Sequence, residues 1–238
     1  MESKKILEKE WMSTSRIQTL TDGIFAIAMT LLVLNLEVPD FPSSVTDAEF
    51  STFLIGMIPK FYVYGLSFIL LAVFWRINHA QFHVIKKADM GLIRINILWL
   101  LFVALVPFST ILIGEYGELP SAALFFNSNM FIIGVLSFIN WYYSYKKNLT
   151  STDKSSRTFR RYMGINLMFP ISALLAMGVS FYHPSLSTVV YATIPFIKYL
   201  DNVLQKNMMM ENNSGPDINP ALMLLFNQLS HTRRDHLH

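Results

Sequence analysis

The sequence predicts an all-α, polytopic membrane protein with six transmembrane helices per chain, and three observations carry that prediction. First, 53% of the 238 residues are hydrophobic and only 15% are charged, which lies outside the range of a soluble domain. Second, six apolar runs separated by polar breaks approach the length of about 20 residues that a helix needs to cross the hydrocarbon. Third, every one of the 19 Lys and Arg residues except Lys60 falls on one side: in the amino-terminal arm, around the connections after the second and fourth runs, or from the end of the sixth run into the tail. The absence of cysteine rules out disulfides and thiolate metal sites, so packing alone must hold the fold. Residues 1–15 are polar and end in no small-residue cleavage site, so a removable signal peptide is not expected. The net charge of +3 does not indicate nucleic acid, because the bases follow the loops.

The first span, residues 17–38, opens with Arg16 and Asp22 and continues as an aliphatic run holding one hydroxyl, Thr30. An ionisable group at the bilayer edge needs a partner or a route to water, because unpaired burial costs several kcal/mol. Arg16 and Asp22 can share an ion-pair network or bind separate neighbouring spans. Equally, Arg16 can snorkel to the headgroups while Asp22 caps the helix. Deeper in, Gly23, Ile27, Thr30 and Leu34 share one stripe, with Leu31 beside it. Repeated around an axis, that stripe makes stacked aliphatic and hydroxyl rings able to gate by dewetting and to replace part of an ion's hydration. The same spacing also describes ordinary helix packing, with Gly23 allowing close approach.

The second span covers residues 50–76, with Lys60 in its outer part, and runs into Trp75-Arg76-Ile77-Asn78-His79. His79 and His83 lie four apart on one helix face, a spacing that can chelate a metal. The other histidines, His183, His231, His236 and His238, do not complete an iron-oxygenase cluster on that side. A polar contact of His79 with Asp22 is the better expectation. The third span, residues 93–114, opens with Arg94 and Asn96 at the same depth. Arg16, Thr21, Asp22, His79 and Asn96 thus form one expected inter-helix network, able to set register or to titrate through His79. The fourth span covers residues 121–145, the fifth 162–182 and a shorter sixth 184–200, although the last two also fit one kinked segment plus a re-entrant turn. Pro107 and Pro170 predict kinks. Trp75, Trp99, Trp141, Tyr142 and Tyr143 are expected at the interface, near span ends.

Sorted by segment, the bases place both termini in the cytoplasm of a cell whose plasma membrane the chain crosses. The opposite connections carry Glu37, Asp40, Asp47, Glu49, Glu115 and Glu118, an acidic mouth that concentrates cations. The expected organisation is an amino-terminal arm (1–16), a membrane domain (17–200) and a tail (201–238). Within the tail, 221–229 reads as a short amphipathic helix or as part of a disordered segment. There is no Arg-rich span for voltage sensing and no Thr-Val-Gly-Tyr-Gly filter loop.

These residues resemble a known family. The signature Arg-x-x-x-Phe-Ser-Asp-Gly is similar to Arg16-x-x-x-Leu20-Thr21-Asp22-Gly23, and a Trp-x-x-His-like end of span two resembles Trp75 to His79. An Arg-x-Asn followed by Pro-Phe-x-Thr looks like Arg94, Asn96, Pro107, Phe108 and Thr110. Together they point to prokaryotic relatives of transmembrane protein 175, the lysosomal potassium channel, over the first three spans. The resemblance implies a homotetramer whose first span lines a central pore. By position, Ile27 would be the narrow point and Thr30 would contribute to selectivity, with potassium passing transiently near both. Leu31 and Leu34 are further pore candidates. It also implies that the signature Arg and Asp tie helices together without coordinating ions. Leu20-Thr21 replaces Phe-Ser, which keeps the hydroxyl and alters only the packing beneath it.

The expectation is therefore a passive, potassium-selective channel. Its partners would be potassium ions, the lipid bilayer and further copies of the chain, with no nucleic acid, no cofactor, no permanent metal and no enzyme chemistry. The alternative is a proton- or cation-coupled secondary transporter with a midplane site. That class shows internal repeats and a mid-depth ionisable residue; no repeat is visible here, and Lys60 is the only charge well inside a span edge. A proton leak through His79 and Asp22 is compatible with the channel reading.

Overall fold

A computed structural model describes residues 14–151 and 157–191. In chain order these residues form α1 (Thr14–Leu31), a 3-10 turn (Leu32–Asn35), α2 (Asp47–Gly56), α3 (Ile58–Val84), α4 (Met90–Ala104), α5 (Val106–Tyr116), α6 (Pro120–Lys146), α7 (Arg157–Ser180) and a second 3-10 turn (Pro184–Leu186). Five segments are long and apolar enough to span a membrane: Thr14–Asn35, Ile58–Val84, Met90–Tyr116, Pro120–Lys146 and Tyr162–Ser180. The expected sixth span, 184–200, lies mainly outside the described residues, as do most of the amino-terminal arm and the whole of the tail.

Local chemistry explains the boundaries. Thr46 and Glu49 make a reciprocal capping box at the start of α2: the Thr46 amide donates to Glu49 Oε2 at 2.9 Å and the Glu49 amide to Thr46 Oγ1 at 3.3 Å. Bonds from the Thr46 backbone and then its side chain hold the Glu49 carboxyl below its usual range. The helix stops at Met57, and Pro59 in the first turn of α3 starts a new one. The second span is consequently Ile58–Val84 rather than 50–76. Apolar composition runs unbroken across Met57, so only the cap and the proline reveal that two helices share the run.

At the third span, Pro107 opens α5 after a break at Leu105, where its missing N–H falls among donors already without an intrahelical acceptor. Pro170, by contrast, sits inside α7, which continues through it.

Helix α6 is the centre of the bundle, packed against α4, α5 and most extensively α7. Phe126, Met130, Ile133, Phe169, Ala173 and Ala176 fill the shared core. A Cβ added at Gly134 would lie 2.9 Å from both Cδ and N of Pro170, so α6 approaches α7 there by having no side chain. Trp99 and Trp141 are fully buried in this packing, which corrects their expected interfacial position; of the expected belt, Trp75 and Tyr142 are exposed. Phe25 of α1 meets Trp99 with ring centroids 5.4 Å apart, docking the first span on α4.

Candidate pore face and its anchoring network

Helix α1 has two faces, and the sequence sorts them. Ile17, Thr21, Phe25 and Ala28, with Leu32 in the following turn, are buried at helical spacing. On the open side lie Gly23, Ile27, Thr30, Leu31 and Leu34, with Ile27 61% and Leu34 64% exposed. Only 28% of this first span is covered by the rest of the chain, against 56% for the span formed by α6. A Cβ at Gly23 would meet nothing within 4 Å, so Gly23 serves no close approach inside the chain. The Thr30 hydroxyl is shared between the carbonyls of Ala26 (3.0 Å) and Ile27 (2.8 Å). Its proton is therefore turned into the helix, which leaves the hydroxyl oxygen an acceptor towards the open side.

Behind the open face, polar side chains tie α1 to the next two spans. The Asn96 amide donates to Thr21 Oγ1 at 3.4 Å, and the Asn78 amide donates to Asn96 Oδ1 at 3.3 Å, all three residues being buried. Asn96 thus reaches Thr21 directly, and Asn78, which the expected network did not include, extends the chain to α3. It lies three positions after Trp75 on the same helix, and that spacing was its available signal.

Asp22 does not bind His79. It accepts from the indole N–H of Trp75 at 2.8 Å, while His79 stacks on that indole with centroids 5.6 Å apart. The two residues share the Trp75 ring rather than a hydrogen bond, because α3 presents the i and i+4 side chains together. Nor do Arg16 and Asp22 pair: Arg16 is exposed, and the only ion pair among the described residues is Lys60–Glu115. That pair joins the first turn of α3 to the end of α5 and offsets the one base at the acidic end. Among the described residues, no group of three His, Asp or Glu side chains is placed to hold a metal ion.

Five apolar spans around buried amide and hydroxyl contacts, the first with an open face of aliphatic side chains and one threonine, define a polytopic membrane protein. Residues 16–107 match the family described as the endosomal/lysosomal potassium channel TMEM175. A protein from Streptomyces collinus named a potassium channel is 34% identical over 105 residues, covering 43% of this chain and 48% of the relative. One from Chamaesiphon minutus, also named a potassium channel, is 36% identical over 113 residues, covering 48% of this chain and 55% of that protein. The chain spans about half the length of these curated relatives. A crystal structure of a lysosomal potassium-selective channel TMEM175 homolog from Chamaesiphon minutus superposes with a TM-score of 0.69 at 26% identity, covering 79% of this chain and 98% of that one.

Proposed function

We propose that this chain is one subunit of a homotetrameric, potassium-selective channel of the plasma membrane, passive and without enzymatic activity, with both termini cytoplasmic. The observation that carries the reading is the open face of α1. It is the least covered of the described spans, and its open side holds a threonine whose oxygen is free to accept. Four copies around an axis would stack rings of Ile27, Thr30, Leu31 and Leu34. The Ile27 ring, apolar and narrowest, closes by dewetting, and the Thr30 oxygens replace part of the hydration of the larger, more easily dehydrated ion. The Thr21–Asn96–Asn78 chain and the Trp75–Asp22 bond fix the rotation of α1, and so decide which side chains face the axis. Exposed Glu37, Asp40, Asp47, Glu49 and Glu118 raise the local cation concentration at the outer mouth. The likeness to proteins named potassium channels supports the same ion.

The test is ion flux from proteoliposomes under potassium and then sodium gradients. The parent passes potassium faster. Thr30→Ala narrows the preference about three- to tenfold, the scale of about 1 kcal/mol for one ring of oxygen contacts. Absence of passive flux of either ion would overturn the channel reading and direct attention to coupled transport, in which uptake saturates and depends on a second ion.

A further inference from the structure

We propose that the basic end of the bundle carries a built site for the headgroup phosphate of an anionic phospholipid, formed by Lys87, Lys146 and Lys147. The site depends on the chain crossing a membrane but not on which ion it conducts.

Two connections remote in sequence are joined there. The Lys86 and Lys87 amides both donate to the Leu149 carbonyl, at 2.9 and 3.3 Å, and the Ser151 amide donates to the Val84 carbonyl at 3.1 Å. Ile85 and Thr150 form an isolated antiparallel bridge. Asn148 makes the turn possible by adopting a φ of 56°, a left-handed conformation that asparagine tolerates. A second latch lies beside the first. Tyr143 donates to Asp89 Oδ2 at 2.8 Å, and Asp89 Oδ1 accepts from the Leu92 amide at 2.8 Å as the N-cap of α4. Gly91 leaves the room, since a Cβ there would fall 2.1 Å from the Tyr143 hydroxyl. The lysines are thus carried on backbone fixed at two points.

Among the described residues these cations lack ion-pair partners. At this end the described residues include Arg16, Arg76, Lys86, Lys87, Arg94, Lys146 and Lys147, all exposed. The two described carboxylates at the same end are already engaged, Asp22 by Trp75 and Asp89 by Leu92 and Tyr143. Among the described residues, none of these seven bases makes an ion pair. Lys86 turns its ammonium back to the His83 carbonyl at 2.8 Å, at the end of α3. That leaves Lys87 on one connection, its amide bonded to the Leu149 carbonyl two residues after the Lys146–Lys147 pair.

Depth selects a lipid. Lys146 is the last residue of α6 and Lys147 caps it, while Lys87 follows the end of α3 by three residues. Ammonium groups at span ends sit at headgroup level, where polybasic clusters attract anionic lipids.

The experiment is native mass spectrometry of the full chain in detergent with equal amounts of phosphatidylglycerol and phosphatidylcholine. The parent retains phosphatidylglycerol preferentially. Lys87→Gln/Lys146→Gln/Lys147→Gln lowers that preference at least tenfold, the corresponding triple Lys→Arg variant keeps it, and Arg76→Gln/Arg94→Gln leaves it within twofold of the parent. Equal retention of both lipids by the parent, or a triple Gln variant that behaves like the parent, would overturn the site. So would an equal loss in the Arg76/Arg94 variant, which would mean diffuse charge, or displacement of the lipid by millimolar inorganic phosphate, which would mean a free-anion site.

Discussion

The contact between Thr21, Asn96 and Asn78 shows what single residues do here. Each is buried, and in a low-dielectric bundle an amide without a partner is costly, so three short polar side chains on three spans find one another. Asn96→Leu keeps a similar volume but strands the Asn78 amide and removes the donor to Thr21. It is expected to cost about 1–2 kcal/mol, read as a lowered unfolding midpoint in detergent. Trp75→Phe is the informative comparison. It keeps a ring for His79 and deletes only the indole N–H, and because Asp22 is exposed to solvent the loss should stay below about 1 kcal/mol. Equal losses in the two variants would mean that burial does not separate these contacts.

At the scale of elements, two helical glycines do opposite work. Gly134 lets α6 reach α7, and an added methyl would meet the backbone of Pro170 at 2.9 Å and Phe169 Cβ at 3.2 Å. Neither neighbour is a flexible side-chain tip, so Gly134→Ala should destabilise the chain by about 1–3 kcal/mol through overpacking. At Gly23 nothing lies within 4 Å, and alanine favours a helix over glycine by up to about 1 kcal/mol. Gly23→Ala should therefore leave protomer stability unchanged or raised, measured in the same unfolding assay. A loss of protomer stability there would remove the argument that this face is open within the chain. Helix α7 is held to α6 and α3 by a further buried set, in which Gln81 and Ser137 both donate to Asn166 Oδ1 at 2.8 Å and Asn140 donates to Gln81 at 3.2 Å. This cluster sets the register of three spans without taking part in the proposed conduction path.

For the whole molecule, the uneven covering of the spans is the property that matters. A central helix 56% covered and a first helix only 28% covered make a bundle with one side unfinished. Lipid can cover Ile27 and Leu34, but its hydrocarbon supplies no donor or cation for the Thr30 oxygen. A second, third and fourth copy around an axis, with water and ions between, satisfies all three positions. The expected outcome is a particle four times the 27.3 kDa chain mass by light scattering with the detergent contribution subtracted. In that particle Gly23→Ala, neutral for the protomer, should alter flux. A monomeric mass with full flux would refute the axial pore.

What the sequence by itself determined is what the transfer of single residues from water to lipid dictates. Apolar runs had to become helices, the bases had to collect at one end, and Thr21, Phe25 and Ala28 had to share a face opposite Ile27 and Thr30, because helical spacing alone separates them. The family signature around Arg16, Asp22 and Gly23 was legible for the same reason, being local. Only the tertiary structure decided that Asp22 takes the Trp75 indole rather than His79, that Trp99 and Trp141 point into the core rather than to the interface, and that Gln81, Asn140 and Asn166 meet. Those outcomes depend on the rotation and depth of each helix against its neighbours. They are fixed by packing between segments tens of residues apart, which no spacing within one helix encodes.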